Sequence, residues 1–273
     1  MRKARYVSNE LTHFVGRRLK EEERFQLLVK ILRTGWLRPS HREEFGAGFI
    51  LMADTRKPLS SMAETRKRPS SDESEAVRAT AVCFCDIPAN CLRIHMKNYG
   101  RFGLAFTKKY MLSRGASPVF YVAADAAAPP EPGVGPRTLG QKFDQLYAEL
   151  QAVCLEMTEF ARTGIPQTSS EMITSKHSRE GTPNELRILG KLNAIAHDLD
   201  SMVFAHLKFF KGRLREGHKK NYYMEREWRK VGGLAFALRD VHHVILPTSY
   251  KTRFKGLVPD YTGKFLDPES MGQ

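Results

Sequence analysis

The stretch N-Y-Y-M-E-R-E-W-R, from Asn221 to Arg229, decides how the rest of the chain is interpreted. Its aromatic residues, its alternation and its lack of Gly and Pro predict a β-strand. Successive side chains of a strand point to opposite faces, so one face would carry Tyr223, Glu225, Glu227 and Arg229. Two glutamates about 6–7 Å apart along a strand suit either a catalytic pair or a solvated face with a Glu–Arg ion pair, and both interpretations stay open.

The charge balance of the chain indicates its class of partner. The 273 residues include 44 Lys and Arg against 30 Asp and Glu, a net charge of +14. Such an excess favours a polyanionic partner, either DNA or RNA or an acidic protein. Cations beside aromatic rings suit nucleic acid, although Lys and Arg are also common at solvated helix ends. The residues predicted to contact nucleic acid are Arg17, Arg18, Lys108, Lys109, Lys219 and Lys220.

The apolar segments argue against a membrane protein. No run of residues approaches the length of a membrane span, and no apolar run follows the basic residues at the start of the chain. Four Cys in a chain of this size indicate a reducing compartment rather than a disulfide framework. We therefore expect a cytoplasmic protein with no membrane partner.

One Cys/His pattern could form a metal site. Cys83, Cys85, Cys91 and His95 give C-x-C-x5-C-x3-H, which lacks the usual C-x2-C spacing of zinc knuckles, so small buried thiols are the favoured interpretation. The neighbouring pair His242-His243 ends a turn and is expected at the surface, at a strand edge. No metal is expected in this protein.

The order of elements predicts an α+β protein. Strands are predicted near residues 11–14, 81–85, 102–106, 118–122, 222–230 and 243–246, and helices near 22–32, 138–161 and 183–211. We expect a single domain over 1–273 with a curved, split β-sheet. Three segments interrupt it: a polar loop at about 53–80, an Ala/Pro/Gly-rich linker at 123–137 and a helical insertion at 138–211.

One resemblance concerns enzymes. T-H-F at Thr12, L-L-V-K-I-L-R-T-G-W-L at Leu27, V-C-F-C-D at Val82 and E-R-E-W at Glu225 resemble the order of elements in ADP-ribosyltransferase-like folds. The resemblance implies transfer of ADP-ribose from NAD to a nucleic acid or a protein. A strand-borne carboxylate would stabilise the oxocarbenium-like transition state of that reaction.

The same resemblance assigns roles to individual residues. Glu227 would be the catalytic glutamate, Glu225 the first residue of an E-x-E motif, and His13 would hydrogen-bond the adenosine ribose. NAD, as the substrate, would be contacted by Thr12, His13, Phe84 and Tyr223.

A second resemblance covers about two thirds of the chain. The segments V-C-F-C-D-I-P, H-M-K-N-Y-G-R-F-G-L-A-F, P-V-F-Y-V, N-Y-Y-M-E-R-E-W-R and V-I-L-P, between Val82 and Pro247, resemble the AbiG-type abortive-infection family of phage-defence proteins. That family is labelled an antitoxin component, which implies a toxin or antitoxin partner protein. Two hypotheses follow: an ADP-ribosyltransferase-like effector, or a non-catalytic antitoxin or regulator.

Overall fold

The computed structural model describes residues 8–39, 81–163, 183–215, 218 and 221–270. The described residues form two compact units. The sheet unit contains those of 8–39, 81–121 and 210–270, and the helical unit contains 122–163 and 183–209. The predicted loop at 53–80 lies outside the described residues.

The elements alternate in the way that the sequence predicts for an α+β protein. The strands are β1 (Glu10–Phe14), β2 (Trp36–Leu37), β3 (Ala81–Cys85), β4 (Gly103–Thr107), β5 (Ser117–Pro118), β6 (Phe120–Ala123), β7 (Leu207–Phe210), β8 (Glu227–Val231), β9 (Leu234–Ala235), β10 (Val241–Ile245) and β11 (Lys264–Leu266). The α-helices are α1 (Glu21–Thr34), α2 (Arg93–Tyr99), α3 (Lys108–Ser113), α4 (Leu139–Thr163), α5 (Pro183–Asp198) and α6 (Lys251–Leu257).

A seven-stranded sheet organises the sheet unit, in the order β11-β10-β4-β1-β3-β8-β5. Its pairings are antiparallel except that of β10 with β11. This confirms the predicted α+β class. The β1 and β3 strands share a single registered pair, Thr12 opposite Cys85. Two smaller sheets join β2 to β9 and β6 to β7, and the chain passes between the two units at β6 and β7.

The registers define two faces of this sheet. Residues opposite each other in a ladder share a face, so Leu11, Phe84, Leu104, Phe106 and Val244 lie on one, here called the core face. They belong to the main hydrophobic cluster. The buried residues of α1, at helical spacing, join the same cluster because the helix turns this side inward: Phe25, Leu28, Val29 and Leu32.

The opposite face, here called the polar face, carries a different set of side chains. Its members share registers across β1, β3, β4, β8 and β10: Thr12, Cys85, Ala105, Glu227 and His243. A smaller apolar cluster covers one end of this face, where α2 supplies Met96 and β10 supplies Ile245.

Local signals set several element boundaries. Gly35 ends α1 in the left-handed conformation, with φ of 60°, and its N–H is bonded to the carbonyl of Ile31. The Thr107 hydroxyl accepts a hydrogen bond from the Tyr110 N–H and caps α3. Thr138 and Gln141 form the reciprocal bonds of a capping box before α4.

The strand prediction for Asn221 to Arg229 is wrong in its first half. Residues Tyr222–Glu225 form a 3₁₀-helix, and β8 begins only at Glu227. Between them Arg226 adopts the left-handed conformation, with φ of 44°, which turns the chain into the sheet. Glu225 and Glu227 therefore do not stand side by side on one strand face.

The helical unit is built around aromatic rings. Phe143 of α4 lies 4.9 Å from Phe209 and 5.9 Å from Phe204, measured between ring centroids, and Tyr147 lies 5.3 Å from Phe204.

The long helix predicted at 183–211 is shorter. The α5 helix ends at Asp198, a π-helical turn follows at Leu199–Val203, and β7 replaces its end. Among the described residues, no helix is long and apolar enough to cross a membrane.

Candidate functional site

A buried ion pair lies at the start of β8. Arg229 Nε donates to Glu227 Oε1 over 2.7 Å, and the two side chains are only 13% and 6% exposed. The Glu227 N–H donates to the Tyr121 hydroxyl over 2.7 Å. Burial opposes the charge of Arg229, but the carboxylate of Glu227 raises the pKa of that guanidinium. Glu227 is therefore paired with Arg229, as the Glu–Arg interpretation predicts, but the pair is buried and does not lie on a solvated face.

Glu225 belongs to a separate aromatic cluster. The Tyr99 hydroxyl donates to Glu225 Oε1. The Tyr99 ring stacks on Phe14 and on His95, with centroids 6.2 and 6.1 Å apart, and the Arg17 guanidinium lies 4.7 Å above the ring. Burial and the neighbouring Glu225 carboxylate raise the pKa of Tyr99, so the phenol keeps its proton and acts as a donor.

Asp86, at the end of β3, is close to one basic residue of α3 and to another just before β8. Its carboxylate accepts from Lys108 Nζ over 2.7 Å and lies 3.6 Å from Arg226 Nη2. Pro88, two residues later, is the N-cap of a short 3₁₀-helix at Ala89–Cys91, and no side chain caps it. Since Lys108 is half-buried and committed to Asp86, it is a poor contact for a nucleic acid.

His13 lies on the core face, away from Glu227. Its Nδ1 is 2.8 Å from the carbonyl oxygen of Cys83, and its ring centroid is 5.6 Å from that of Phe84. Burial lowers the pKa of His13 more than the Cys83 carbonyl raises it, so the ring is neutral at pH 7. The registers put Thr12 on the same face as Glu227, and His13, the next residue, on the other.

The remaining residue predicted to contact NAD lies in the 3₁₀-helix before β8. Tyr223 packs edge to face on Tyr121, 5.2 Å between centroids, and lies 5.1 Å from Phe210. The described geometry thus brings Thr12 to the face of Glu227, but it leaves His13 and Phe84 on the opposite face of the sheet. The six residues assigned by the transferase resemblance do not converge on one cleft.

The predicted basic contacts are dispersed. Arg17, Arg18 and Lys109 are exposed, whereas Lys108 is paired with Asp86. Lys219 and Lys220 lie outside the described residues. A continuous cationic track is not formed by the four that are described.

The thiols separate as well. Cys83 and Cys85 share the polar face, but the interpretation as small buried thiols is correct for Cys85 and wrong for Cys83, which is exposed. Burial and the nearby Glu225 carboxylate raise the pKa of Cys85 to about 12, so its thiol is protonated at pH 7. Cys91 is exposed on the 3₁₀-helix before α2.

Sequence reasoning missed the residues that hold the two glutamates. Tyr99 and Tyr121 lie 126 and 106 residues from Glu225 and Glu227 along the chain. No local spacing connects residues so far apart, and only the sheet order places them together. The aromatic content of the segments around Tyr99 and Tyr121 is the one signal that pointed to them.

A groove elsewhere in the sheet unit contains none of these residues. It lies where α1 and α6 end, and it is lined by Leu32, Arg33, Thr34, Gly35, Phe236, Ala237, Leu238, Leu257, Val258, Pro259 and Asp260. Its lining combines polar and apolar residues, and these include no cluster of titratable groups that would indicate a catalytic site.

Comparison with known proteins identifies a family. Residues 50–255, more than half of the chain, match the family described as "Putative abortive phage resistance protein AbiGi, antitoxin". Neither the curated proteins nor the solved structures contain a match, so an ADP-ribosyltransferase-like fold gains no support from a structural relative. The match extends over α2 to α5 and β3 to β10, which include elements of both units, and it does not reach β1, α1, β2 or β11 of the sheet unit. This chain is a member of the AbiGi family of abortive phage resistance proteins.

Proposed function

We propose that this protein is a non-catalytic antitoxin that binds a toxin protein through an apolar seam on the helical unit. The observation that carries the proposal is a row of exposed apolar side chains along α5 and the π-helical turn after it. The row, here called the α5 seam, consists of Ile188, Leu192, Ile195, Leu199 and Met202.

The spacing of the seam determines what can bind it. In α5, Ile188, Leu192 and Ile195 are separated by four and three residues, which is the a/d spacing of a helix that packs on another helix, and Leu199 and Met202 continue the exposed row into the π-helical turn. Ile195 is 55% exposed and Met202 is 69% exposed. A contiguous apolar row of this kind is uncommon on a monomer and is typical of a protein interface.

The buried side of α5 lies elsewhere on the helix. Ala196, next to Ile195, is buried, whereas Leu192 and Leu199 are exposed. Among the side chains of α5 that the structure describes, a small residue is thus turned inward and Ile188, Leu192 and Ile195 are turned outward. The exposed apolar side chains have an unfavourable hydration free energy in the isolated protein. Covering the seam with a partner removes this cost.

The partner that fits is an amphipathic α-helix of the toxin. Exposed Lys191 and Asp198 flank the seam at the positions before Leu192 and Leu199, where a coiled-coil pair places its interhelical charges. The partner helix is expected to offer Glu or Asp opposite Lys191 and Lys or Arg opposite Asp198. The antitoxin description of the family supports a toxin as this partner.

Transfer of ADP-ribose from NAD is the less favoured function. A transferase site would need His13 and Glu227 on one cleft, and they lie on opposite faces of the sheet. Glu227 is also 6% exposed and bound to Arg229, so it offers little surface to a substrate.

Binding of DNA or RNA is supported by the net charge of +14 and by the exposed residues Arg17, Arg18 and Lys109. These three residues do not form a continuous track.

The test is rescue of growth. The chain is expressed alone, and together with the product of the neighbouring gene, in a bacterial host. We expect the chain alone to be harmless and to neutralise a toxic neighbour. Ile195→Glu should abolish rescue and co-purification, while Leu112→Glu, at a 57% exposed position on the sheet unit, should retain both.

Two outcomes would overturn the proposal. One is rescue by Ile195→Glu at the level of the unchanged chain, with both variants folded by circular dichroism. The other is toxicity of the chain alone together with transfer of label from NAD to RNA, DNA or protein, which Glu227→Gln removes. The second result would establish the transferase hypothesis instead.

A further inference from the structure

Three side chains at one end of the polar face point their ligand atoms at a common point. His242 Nδ1 lies 2.9 Å from Glu10 Oε1, His243 Nδ1 lies 3.2 Å from Glu10 Oε2, and the two Nδ1 atoms are 3.2 Å apart. The expectation of a paired surface His at a strand edge is wrong for His243. This residue is buried, and β10 lies between β4 and β11 in the sheet.

The backbone aims both imidazoles at this point. In a regular strand, two adjacent side chains point to opposite faces. The register of β10 on β4 shifts between Val241, opposite Phe106, and His243, opposite Ala105, so His242 is the extra residue of a β-bulge. The bulge turns His242 toward the side on which His243 and Glu10 already lie. Ala105, fully buried between β1 and β10, has too small a side chain to block them.

We propose that Glu10, His242 and His243 form a binding site for a divalent transition metal of the zinc class. Zinc bonds of about 2.0–2.1 Å to nitrogen and oxygen give a tetrahedron whose ligand atoms are about 3.3 Å apart. The three observed contacts, 2.9, 3.2 and 3.2 Å, are each close to this separation, and they involve both imidazole Nδ1 atoms and both oxygens of the Glu10 carboxylate. Two imidazoles and one carboxylate are a donor set that zinc and iron(II) prefer, and hard cations such as Mg²⁺ do not.

Electrostatics support an ion at this point. A neutral imidazole presents a lone pair on one ring nitrogen, and the carboxylate presents only lone pairs. Three such groups at 3 Å repel each other unless a cation or protons lie between them.

The site is open to solvent on one side. The side chains of His242 and Glu10 are 35% and 26% exposed, so an ion can enter, and three protein ligands leave one tetrahedral position for water or a partner group. A bound ion would also join β1 to β10 across the end of β4. Zinc should therefore raise the thermal stability of the sheet unit.

The experiment uses the full chain, stripped with EDTA, and titrates it with Zn²⁺ by calorimetry. We expect one equivalent to bind, and Tm to rise. Glu10→Gln, which keeps the shape of the side chain, and His242→Ala should each weaken binding at least about tenfold. His218→Ala, which removes an exposed histidine outside the site, should bind as the unchanged chain does.

Cobalt(II) provides a second readout that separates this site from the cysteines. The Co²⁺-loaded chain should show the intense visible bands of a four-coordinate ion without thiolate-to-metal charge transfer. Three results would overturn the proposal: no stoichiometric binding, equal affinity in all variants with equal Tm in EDTA, or a thiolate band that reports binding at cysteine. Tm in EDTA identifies any variant that fails to fold.

Discussion

The sheet unit and the helical unit place their large apolar residues differently. In the sheet unit, aromatic and aliphatic side chains from both the sheet and α1 are fully buried in one cluster, among them Phe25, Phe102 and Phe106. In the helical unit, the described apolar residues of α5 are mostly exposed, and a few aromatic rings form its interior. A unit that buries its apolar surface is stable by itself, whereas the α5 seam gains by being covered.

Charged groups show the same contrast. The sheet unit pairs its buried ions, Glu227 with Arg229 and Asp86 with Lys108. In the helical unit, Asp144 Oδ1 is buried with no hydrogen-bond partner among the described residues, and burial raises the pKa of Asp144. An unsatisfied polar atom costs free energy in the isolated protein. Buried polar atoms without a partner among the described residues also occur at Asn221 Oδ1 and His243 Nε2 in the sheet unit and at His206 Nε2 in the helical unit, so the contrast is confined to the charged groups.

The largest expected effect tests whether the core resides in the sheet unit. Phe106→Ala removes a fully buried ring from the core face and should lower the free energy of unfolding by about 3–5 kcal/mol. Ile195→Ala on the α5 seam should change it by less than about 0.5 kcal/mol, because the side chain is exposed. Urea denaturation of both variants measures the difference. Similar losses in the two variants would contradict the comparison.

The next effect concerns the buried ion pair. Glu227→Gln keeps the shape of the side chain but removes the charge that holds Arg229, and it should cost about 1.5–3 kcal/mol. The double variant with Arg229→Gln should lose less than the sum of the single changes. Glu131→Gln, which breaks the solvent-exposed pair with Lys142 in the helical unit, serves as the control and should change Tm much less. Additive losses in a thermal-unfolding cycle would show that the pair is not coupled.

A glycine in each unit sharpens the comparison at the level of the backbone. Gly35→Ala in the sheet unit meets a φ of 60° and would place its Cβ 2.5 Å from the Phe236 carbonyl oxygen, so a loss of about 1–2 kcal/mol is expected. Gly190→Ala in α5 meets open space and should gain about 0.5–1 kcal/mol from helix propensity. Guanidinium titrations compare the two. A loss at Gly190 would mean that the outer side of α5 is already covered.

The smallest expected effect is a change in how steeply the unfolding free energy depends on pH. Burial lowers the pKa of His13 below its usual 6.5. When the pH falls below 6.5, His13 is therefore protonated in the unfolded chain while it is still neutral in the folded chain. The contribution of His13 to stability is complete above pH 6.5 and is lost as the pH falls toward the lower pKa of the folded state. His13→Gln should therefore flatten the fall in unfolding free energy between pH 7 and 5, measured in EDTA. An unchanged slope would show that His13 does not titrate with unfolding.

Local sequence determined the elements whose signals are local. The caps at Thr107 and Thr138, the stop at Gly35 and the apolar spacing of α1 depend only on neighbouring residues. The α+β class followed from the alternation of such elements. The strand at Tyr222–Glu225 failed because a left-handed residue, Arg226, breaks the pattern, and its conformation depends on how β8 joins β3.

Tertiary structure alone decided which distant residues meet. The sequence by itself determined that Glu227 and Arg229 share a strand face, but the sheet order decided that Tyr121 holds the backbone of Glu227 and that His13 lies on the other side. A bulge in β10 decided that two adjacent histidines face one glutamate. The two-residue repeat of a β-strand sets which face of the sheet a side chain occupies, and this repeat can be read from the sequence. Strand pairing, in contrast, joins residues more than a hundred positions apart, and no local sequence pattern specifies which strands pair.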